Sequence, residues 1–272
     1  MKENLSGTLA IDLGNTNTVV AFQDQKDINT VLIEIPNITS SPGVIPTAVW
    51  FEGPSKTLKI GISALKMRKS SNSDLYFHSN FKRLIGNPIE KLNQKNILNA
   101  TECGEKFLKY LWSNIPQKYL IKRLVLTAPI DTYKGYRDWL VNLSEQLSVD
   151  EIALVDEPTA ASLGINVPFG SKIMTLDIGG STIDMTIVKI EGGEGKSGPI
   201  AELLKFRGND VSSISKQKIR CAEIISKTGS KIGGKDIDQW IVDHFISDNK
   251  YSANFLKAEE IKCKLSSSSI KY

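Results

Sequence analysis

Ile173 to Ile190 read IMTLDIGGSTIDMTIVKI. A β-branched run ends at Asp177, turns through Gly179-Gly180-Ser181-Thr182 and leaves as a second alternating run. Strand-forming flanks around a short glycine-bearing connection predict a β-hairpin. Glycines at the tip let backbone N–H groups turn toward an anion with no Cβ in the way. Asp177 at the strand end and the hydroxyls in the turn offer a place for a hydrated cation beside that anion. The same composition also serves a hairpin that binds nothing, so a phosphate clamp needs support from elsewhere in the chain.

That support comes near the N-terminus. Gly7 to Gln23, GTLAIDLGNTNTVVAFQ, has the same order of parts: apolar strand, Asp12, Gly14, a polar turn Asn15-Thr16-Asn17, second strand. Asp12-Leu13-Gly14-Asn15-Thr16 lies over Asp177-Ile178-Gly179-Gly180-Ser181. Two copies of one hairpin predict two related lobes facing each other across a cleft; two unrelated strand–turn–strand units are the alternative.

Between and after the hairpins the pattern is mixed α/β. Val44 to Phe51 (VIPTAVWF) reads as one strand, and Ser63 to Lys82 as a short helix and loop that runs into Phe81-Lys82-Arg83-Leu84-Ile85-Gly86. Phe107, Leu108, Leu111, Trp112 and Ile115 fall at helical spacing within Gly104 to Ile115. Ile121 to Thr127 is a strand entering Ala128-Pro129, and Tyr133 to Leu147 is an amphipathic helix with Arg137 near its start. Ile152 to Val155 is a brief strand running into Asp156-Glu157-Pro158-Thr159, where Pro158 suits the first turn of a helix. Pro199 to Phe206 reads as a strand and Asn209 to Ile219 as a Ser/Lys-rich loop. Gly233-Gly234 opens a helix whose inward positions are expected at Ile237, Trp240, Ile241 and His244/Phe245; a last helix runs from about Asn254 to Leu265. Backbone N–H groups at the Gly233-Gly234 helix start can take a phosphate oxygen or only make a tight turn.

Composition narrows the classes. At 272 residues the chain can bury a substantial core, and 40% apolar with 24% charged residues is ordinary for a globular protein. A net charge of +4 from scattered lysines lacks the concentrated basic face of a nucleic-acid binder. Cys103, Cys221 and Cys263 lie far apart with two histidines in the chain, which speaks against a disulfide framework or zinc site and fits a reducing cytoplasm. The start MKENLSGTLAID has no signal-peptide core and no apolar run reaches spanning length, so a soluble, cytoplasmic protein without membrane partners is expected.

Taken together, IDLGNTNTVVAF, FKRLIG, LVLTAP with Arg137 beyond Pro129, VDEPTAASLG, LDIGGSTIDMTIV, GGKDID and AEEIKCKLSSS resemble the ATPase domain of the seventy-kilodalton heat-shock chaperones, the DnaK family, within the actin/hexokinase superfamily. The motifs follow the family's order over almost the whole chain; VDEPTAASLG discriminates, since sugar kinases and actins lack it. The resemblance implies an α/β actin-like ATPase (ribonuclease H-like) fold with residues 1–170 as lobe I and 171–272 as part of lobe II. It implies ATP or ADP with Mg²⁺, Asp12 and Asp177 holding the cation through water. Asn15, Thr16 and Asn17 after Gly14 are similar to the first phosphate hairpin, and Gly179, Gly180, Ser181 and Thr182 to the second. Lys82 resembles the lysine that steadies the γ-phosphate and attacking water, and Glu157 the carboxylate that orients that water, with Thr182 and Asp184 beside it. Pro129 and Arg137 resemble a proline switch and its relay. Gly233 and Gly234 fall at the β-phosphate; Glu259, Lys262 and Ser266 fall on the adenosine-side helix. The implied partners are nucleotide, a J-domain co-chaperone, a nucleotide-exchange factor and, through a C-terminal domain, unfolded polypeptide.

The departures are specific. Ser181 replaces a glycine, Asn15 a threonine, and Cys263 an adenine-stacking arginine. The segment from Gly86 to Gly104 is shorter than the family's, so the outer part of lobe I reads as trimmed. Tyr272 precedes the last adenosine-binding glycine motif, so lobe II reads as incomplete, with no substrate-binding domain. A non-catalytic nucleotide-binding or regulatory module is therefore the rival to an ATP hydrolase, followed by a superfamily sugar or acetate kinase and an actin-like filament protein.

Overall fold

The computed structural model describes residues 5–27, 29–53, 57–71, 73–86, 98–128, 133–144, 146–165, 167–168, 170–180, 183–190, 202–207, 209–210, 222–230, 232–245 and 251–267. Cα proximity divides them into two compact units, one within 1–171 and 190–223, the other within 172–189 and 224–272.

The first unit opens with β1 (Leu5–Leu13), β2 (Asn17–Asp24), β3 (Thr30–Leu32), β4 (Val44–Pro46), β5 (Ala48–Phe51) and β6 (Leu58–Ile60). It continues through α1 (Gly61–Ser70), β7 (Phe77–Ser79), a short 3-10 helix at Lys82–Leu84, α2 (Ala100–Ser113), β8 (Tyr119–Ala128), α3 (Tyr133–Ser144), β9 (Glu151–Asp156) and α4 (Glu157–Gly164). β10 (Lys172–Ile178) and β11 (Ile183–Ile190) belong to the second unit, β12 (Glu202–Phe206) and β13 (Asn209–Asp210) return to the first, and β14 (Ala222–Ser230), α5 (Gly234–Phe245) and α6 (Tyr251–Ser267) complete the second. The result is a mixed α/β protein with several sheets.

The large sheet has the order β13-β12-β9-β8-β1-β2-β3, with β4 also paired to β2. Its centre, β1-β8-β9, is parallel. The buried residues alternate along the strands, Leu9, Ile11 and Leu13 of β1 and Leu124, Leu126 and Ala128 of β8, so one face of the sheet lies on the core, while Ala10 and Asp12 on the other face of β1 are exposed. Phe107, Leu108 and Leu111 from α2 and Tyr136, Leu140 and Leu143 from α3 join the same core. α2 begins ahead of its expected start at Gly104 because Asn99 caps it: the Asn99 side chain accepts from the Glu102 N–H while the Glu102 carboxylate accepts from the Asn99 N–H. Parallel strands in register end together, so Asp12, Ala128 and Asp156 come out at one edge, where α/β sheets place their ligand sites.

Three expectations change. VIPTAVWF is two strands, not one. Pro46 has no N–H for a ladder, the Thr47 N–H turns instead to the Thr16 carbonyl (2.8 Å), and β5 leaves for a small sheet of order β6-β5-β7. β14 was not anticipated, since its polar Ser-Lys-Thr-Gly-Ser tail has no strand signature. On α5, Ile237, Trp240 and Phe245 are exposed, as is His244; the inward positions are Asp238 and Val242, one helix-turn apart. The Ser/Lys-rich loop coincides with β13 at Asn209–Asp210, and 211–219 lie outside the described residues, as do 87–97 of the trimmed segment. Cys103 is buried and Cys263 exposed, and Cys221 lies outside the described residues. Among the described residues no helix is long and apolar enough to cross a membrane.

Candidate functional site

The two hairpins are built alike. The first closes at Leu13↔Thr18 and the second at Ile178↔Ile183, so each aspartate sits one step before the last pair: Asp12 opposite Val19, Asp177 opposite Asp184. Gly14 is required by space, since a Cβ there would fall 2.1 Å from the Asn17 carbonyl oxygen. Asp12, Thr16, Asn17 and Asp177 are exposed; Gly14, Asn15, Gly179 and Gly180 are half-buried. Ser181 and Thr182 lie outside the described residues, as does the side chain of Asp184; Pro129 does too. Arg137 on α3 is half-buried, with Asp138 at 3.6 Å.

In the first unit the parallel strand ends gather Asp12, Lys82 and Glu157. Glu157 starts α4 directly after β9, where the helix N-terminus favours a carboxylate. Its Oε1 accepts from Lys82 Nζ. Lys82 is only 7% exposed, although a Lys-Arg pair on a loop normally lies in water. The first hairpin is joined to the same region by the Asn15 side chain, whose Nδ2 donates to Asn80 Oδ1 at 3.3 Å. Thr127, on the strand beside β1, donates its hydroxyl to Asp12 Oδ1 at 2.6 Å and so fixes that carboxylate. Sequence reasoning passed over Thr127, and LVLTAP gives no sign that its hydroxyl faces Asp12.

Tyr136 lies under this cluster, 1% exposed and 5.2 Å centroid to centroid from Trp139. Burial, then the charges of Glu157 and Asp12, hold its phenol well above the ordinary 10.0. The unfolded chain therefore loses this proton first, and the stability it carries is whole below that ordinary value and drains as pH rises toward the folded one. Relative to the wild type, Tyr136→Phe should gain about 1.4 kcal/mol per pH unit above pH 10. Urea melts on both sides of pH 10 measure this, and parallel curves would mean that the fold does not raise the phenol.

In the second unit the Gly233-Gly234 turn is laced to the second hairpin. Gly234 N–H donates to the Gly179 carbonyl (3.1 Å) and Lys235 N–H to that of Gly180 (2.8 Å), while Asp236 Oδ2 takes the Gly233 N–H at 2.7 Å. Lys262 of α6 reaches the same turn: its Nζ donates to the Gly234 carbonyl (2.7 Å) and to Asp238, which is 2% exposed. Ser266 bonds back to the Lys262 carbonyl at 2.9 Å, and Glu259 is exposed on the same helix. Thus Gly179, Gly180, Gly233, Gly234 and Lys262 form one group, and Asp238 is the member that the sequence did not single out.

No family model matches the chain. It is 26% identical over 281 residues to the chaperone protein DnaK of Mycoplasmopsis synoviae strain 53, covering 96% of this chain and 41% of that one. Against the DnaK of Thermotoga maritima it is 27% identical over 256 residues, 92% of this chain and 37% of that one. Against the DnaK of Metamycoplasma hominis it is 31% identical over 192 residues, 68% of this chain and 30% of that one. The chain thus spans about two fifths of the first of these relatives. The matches define a class first, that of the seventy-kilodalton heat-shock chaperones. Within it, the chain belongs to the DnaK-like family, over the nucleotide-binding region.

Proposed function

We propose that the chain is an ATP-binding domain of the actin-like ATPase fold, residues 1–170 and 171–272 forming two lobes about a nucleotide cleft, and that it hydrolyses ATP. The observation that carries this reading is the pairing of buried Lys82 with half-buried Glu157 at the carboxyl ends of the parallel strands. A lysine kept out of bulk water there can offset charge gathering on the phosphoryl oxygens. Glu157, one third exposed, can hold the attacking water by its second oxygen. N–H groups of the Gly14–Asn17 and Gly179–Thr182 turns would take phosphate oxygens, with Thr182 and Asp184 beside the reacting group. Gly233 and Gly234 would face the β-phosphate, and Glu259, Lys262 and Ser266 the adenosine.

Asp12 and Asp177, each an exposed oxygen donor at a strand end, would hold magnesium through its water, since that cation keeps most of its hydration. When bound, that cation would neutralise phosphate charge; Thr127 keeps the Asp12 carboxylate in place for it. In the whole chaperone, hydrolysis would switch the grip on unfolded polypeptide in the cytoplasm, with Arg137 as relay and with J-domain and exchange-factor partners.

A second reading, a nucleotide-binding regulatory module without turnover, is favoured by one observation. Lys262, expected at the adenosine, is engaged by Asp238 and Gly234. Calorimetric titration with Mg-ATP tests what both share. We expect saturable binding below about 1 mM; no heat at that concentration would sink both, and binding without turnover would leave the second.

A further inference from the structure

Lys82 sits between two left-handed backbone positions, Asn80 at φ 61° and Gly86 at φ 79°. Asparagine and glycine are the residues that accept this conformation most readily, so each marks a turn the chain is made to take. β7 ends at Ser79, Asn80 reverses the chain, and the 3-10 helix carrying Lys82 follows. Both ends of the Asn80 amide are used: Oδ1 accepts from Asn15 Nδ2 at 3.3 Å and Nδ2 donates to Ser79 Oγ at 3.0 Å. At the other end, Gly86 lies backbone to backbone on Gly135 in the first turn of α3. A Cβ on Gly86 would come 2.4 Å from the Gly135 carbonyl carbon, and one on Gly135 2.7 Å from the Gly86 oxygen. Phe81 and Ile85, both buried, pin the span between these fastenings.

We propose that Asn80 is a positioning residue for Lys82, tying the lysine to the first hairpin through Asn15. It rests on the reading of Lys82 as the phosphate-facing cation, because the tie keeps that cation in register with a hairpin that holds the same phosphate. Small displacements at such a site are felt strongly. Nothing in the residue types alone announces the role; the left-handed φ and the amide link do.

Reductive methylation with mass-spectrometric readout tests the tie without nucleotide, Lys134 and Lys257 serving as exposed internal references. Asn80→Gly keeps the left-handed turn and loses the amide, so the variant folds without added backbone strain. In it Lys82 should be labelled roughly tenfold faster than in the wild type, while Asn80→Asp, which keeps the acceptor for Asn15, stays near the wild-type rate. Lys82 equally protected in Asn80→Gly and the wild type overturns the proposal. With Mg-ATP, Asn80→Gly should lower single-turnover hydrolysis roughly tenfold and leave affinity within about twofold. A wild type that binds but does not hydrolyse removes the hydrolysis reading alone, and the labelling still decides the role of Asn80.

Discussion

Lys82→Ala is expected to slow single-turnover ATP hydrolysis by about a hundredfold to a thousandfold while lowering Mg-ATP affinity by less than about tenfold. The asymmetry follows from where charge develops: the ammonium interacts most strongly with the oxygens of a phosphoryl group in transfer, and less with bound ATP. Any loss of stability should come from the truncated buried stem more than from the charge. Glu157 is 34% exposed and regains water when its partner leaves, so the pair contributes on the order of 1 kcal/mol or less. Lys82→Met, which keeps most of the buried stem, separates lost packing from lost charge. Rapid-quench assays and urea melts on the three proteins give the answer. If hydrolysis is unchanged and the melt collapses, the pair is a structural bridge and the site is elsewhere.

The hairpins were legible because their requirements are local. Asp12, Gly14 and the turn polar residues lie within one reach of sequence, and Gly14 is fixed by its own neighbour, the Asn17 carbonyl. The strand β8 and the helices α3 and α4 were legible from periodicity and Pro158 for the same reason. What was not legible depends on partners far away. Thr127 meets Asp12 across 115 positions, and only the parallel register of β1 and β8 puts them side by side. The burial of Lys82 needs Glu157, 75 positions on, and composition alone reads the Lys-Arg pair as surface.

Helix α5 failed for a related reason. Its apolar residues suggested an inward stripe at Ile237, Trp240, Ile241 and His244/Phe245, but the positions that turn inward are Val242 and a carboxylate, Asp238. An aspartate in a helix normally reads as solvated. Here an ion pair to the next helix, together with the buried small side chain of Ala258 and Val242, outweighs the apolar pattern. Pattern rules assume that the core is apolar and miss faces organised by a paired charge.

That paired charge sets the second large effect. Lys262→Ala should destabilise the second unit by about 3 kcal/mol, because it leaves the Asp238 carboxylate buried with its counter-ion removed. The lysine side chain is itself 21% exposed, which holds the figure at the low end for a buried pair. The loss should be seen as faster hydrogen exchange at the amides of α5 and α6, and at Gly234 and Lys235, whose bonds to Gly179 and Gly180 depend on the turn that Lys262 braces. Asp238→Leu combined with Lys262→Met should recover most of the stability, since replacing both charges removes the desolvation cost along with the attraction. A cost below about 0.5 kcal/mol for Lys262→Ala, joined to a marked loss of Mg-ATP affinity, would reverse the assignment. Lys262 would then be the adenosine contact that the family resemblance implies, and its bond to Asp238 a resting place with little energy in it. If instead stability falls and affinity follows only through the loosened turn, Asp238→Leu with Lys262→Met should restore both together.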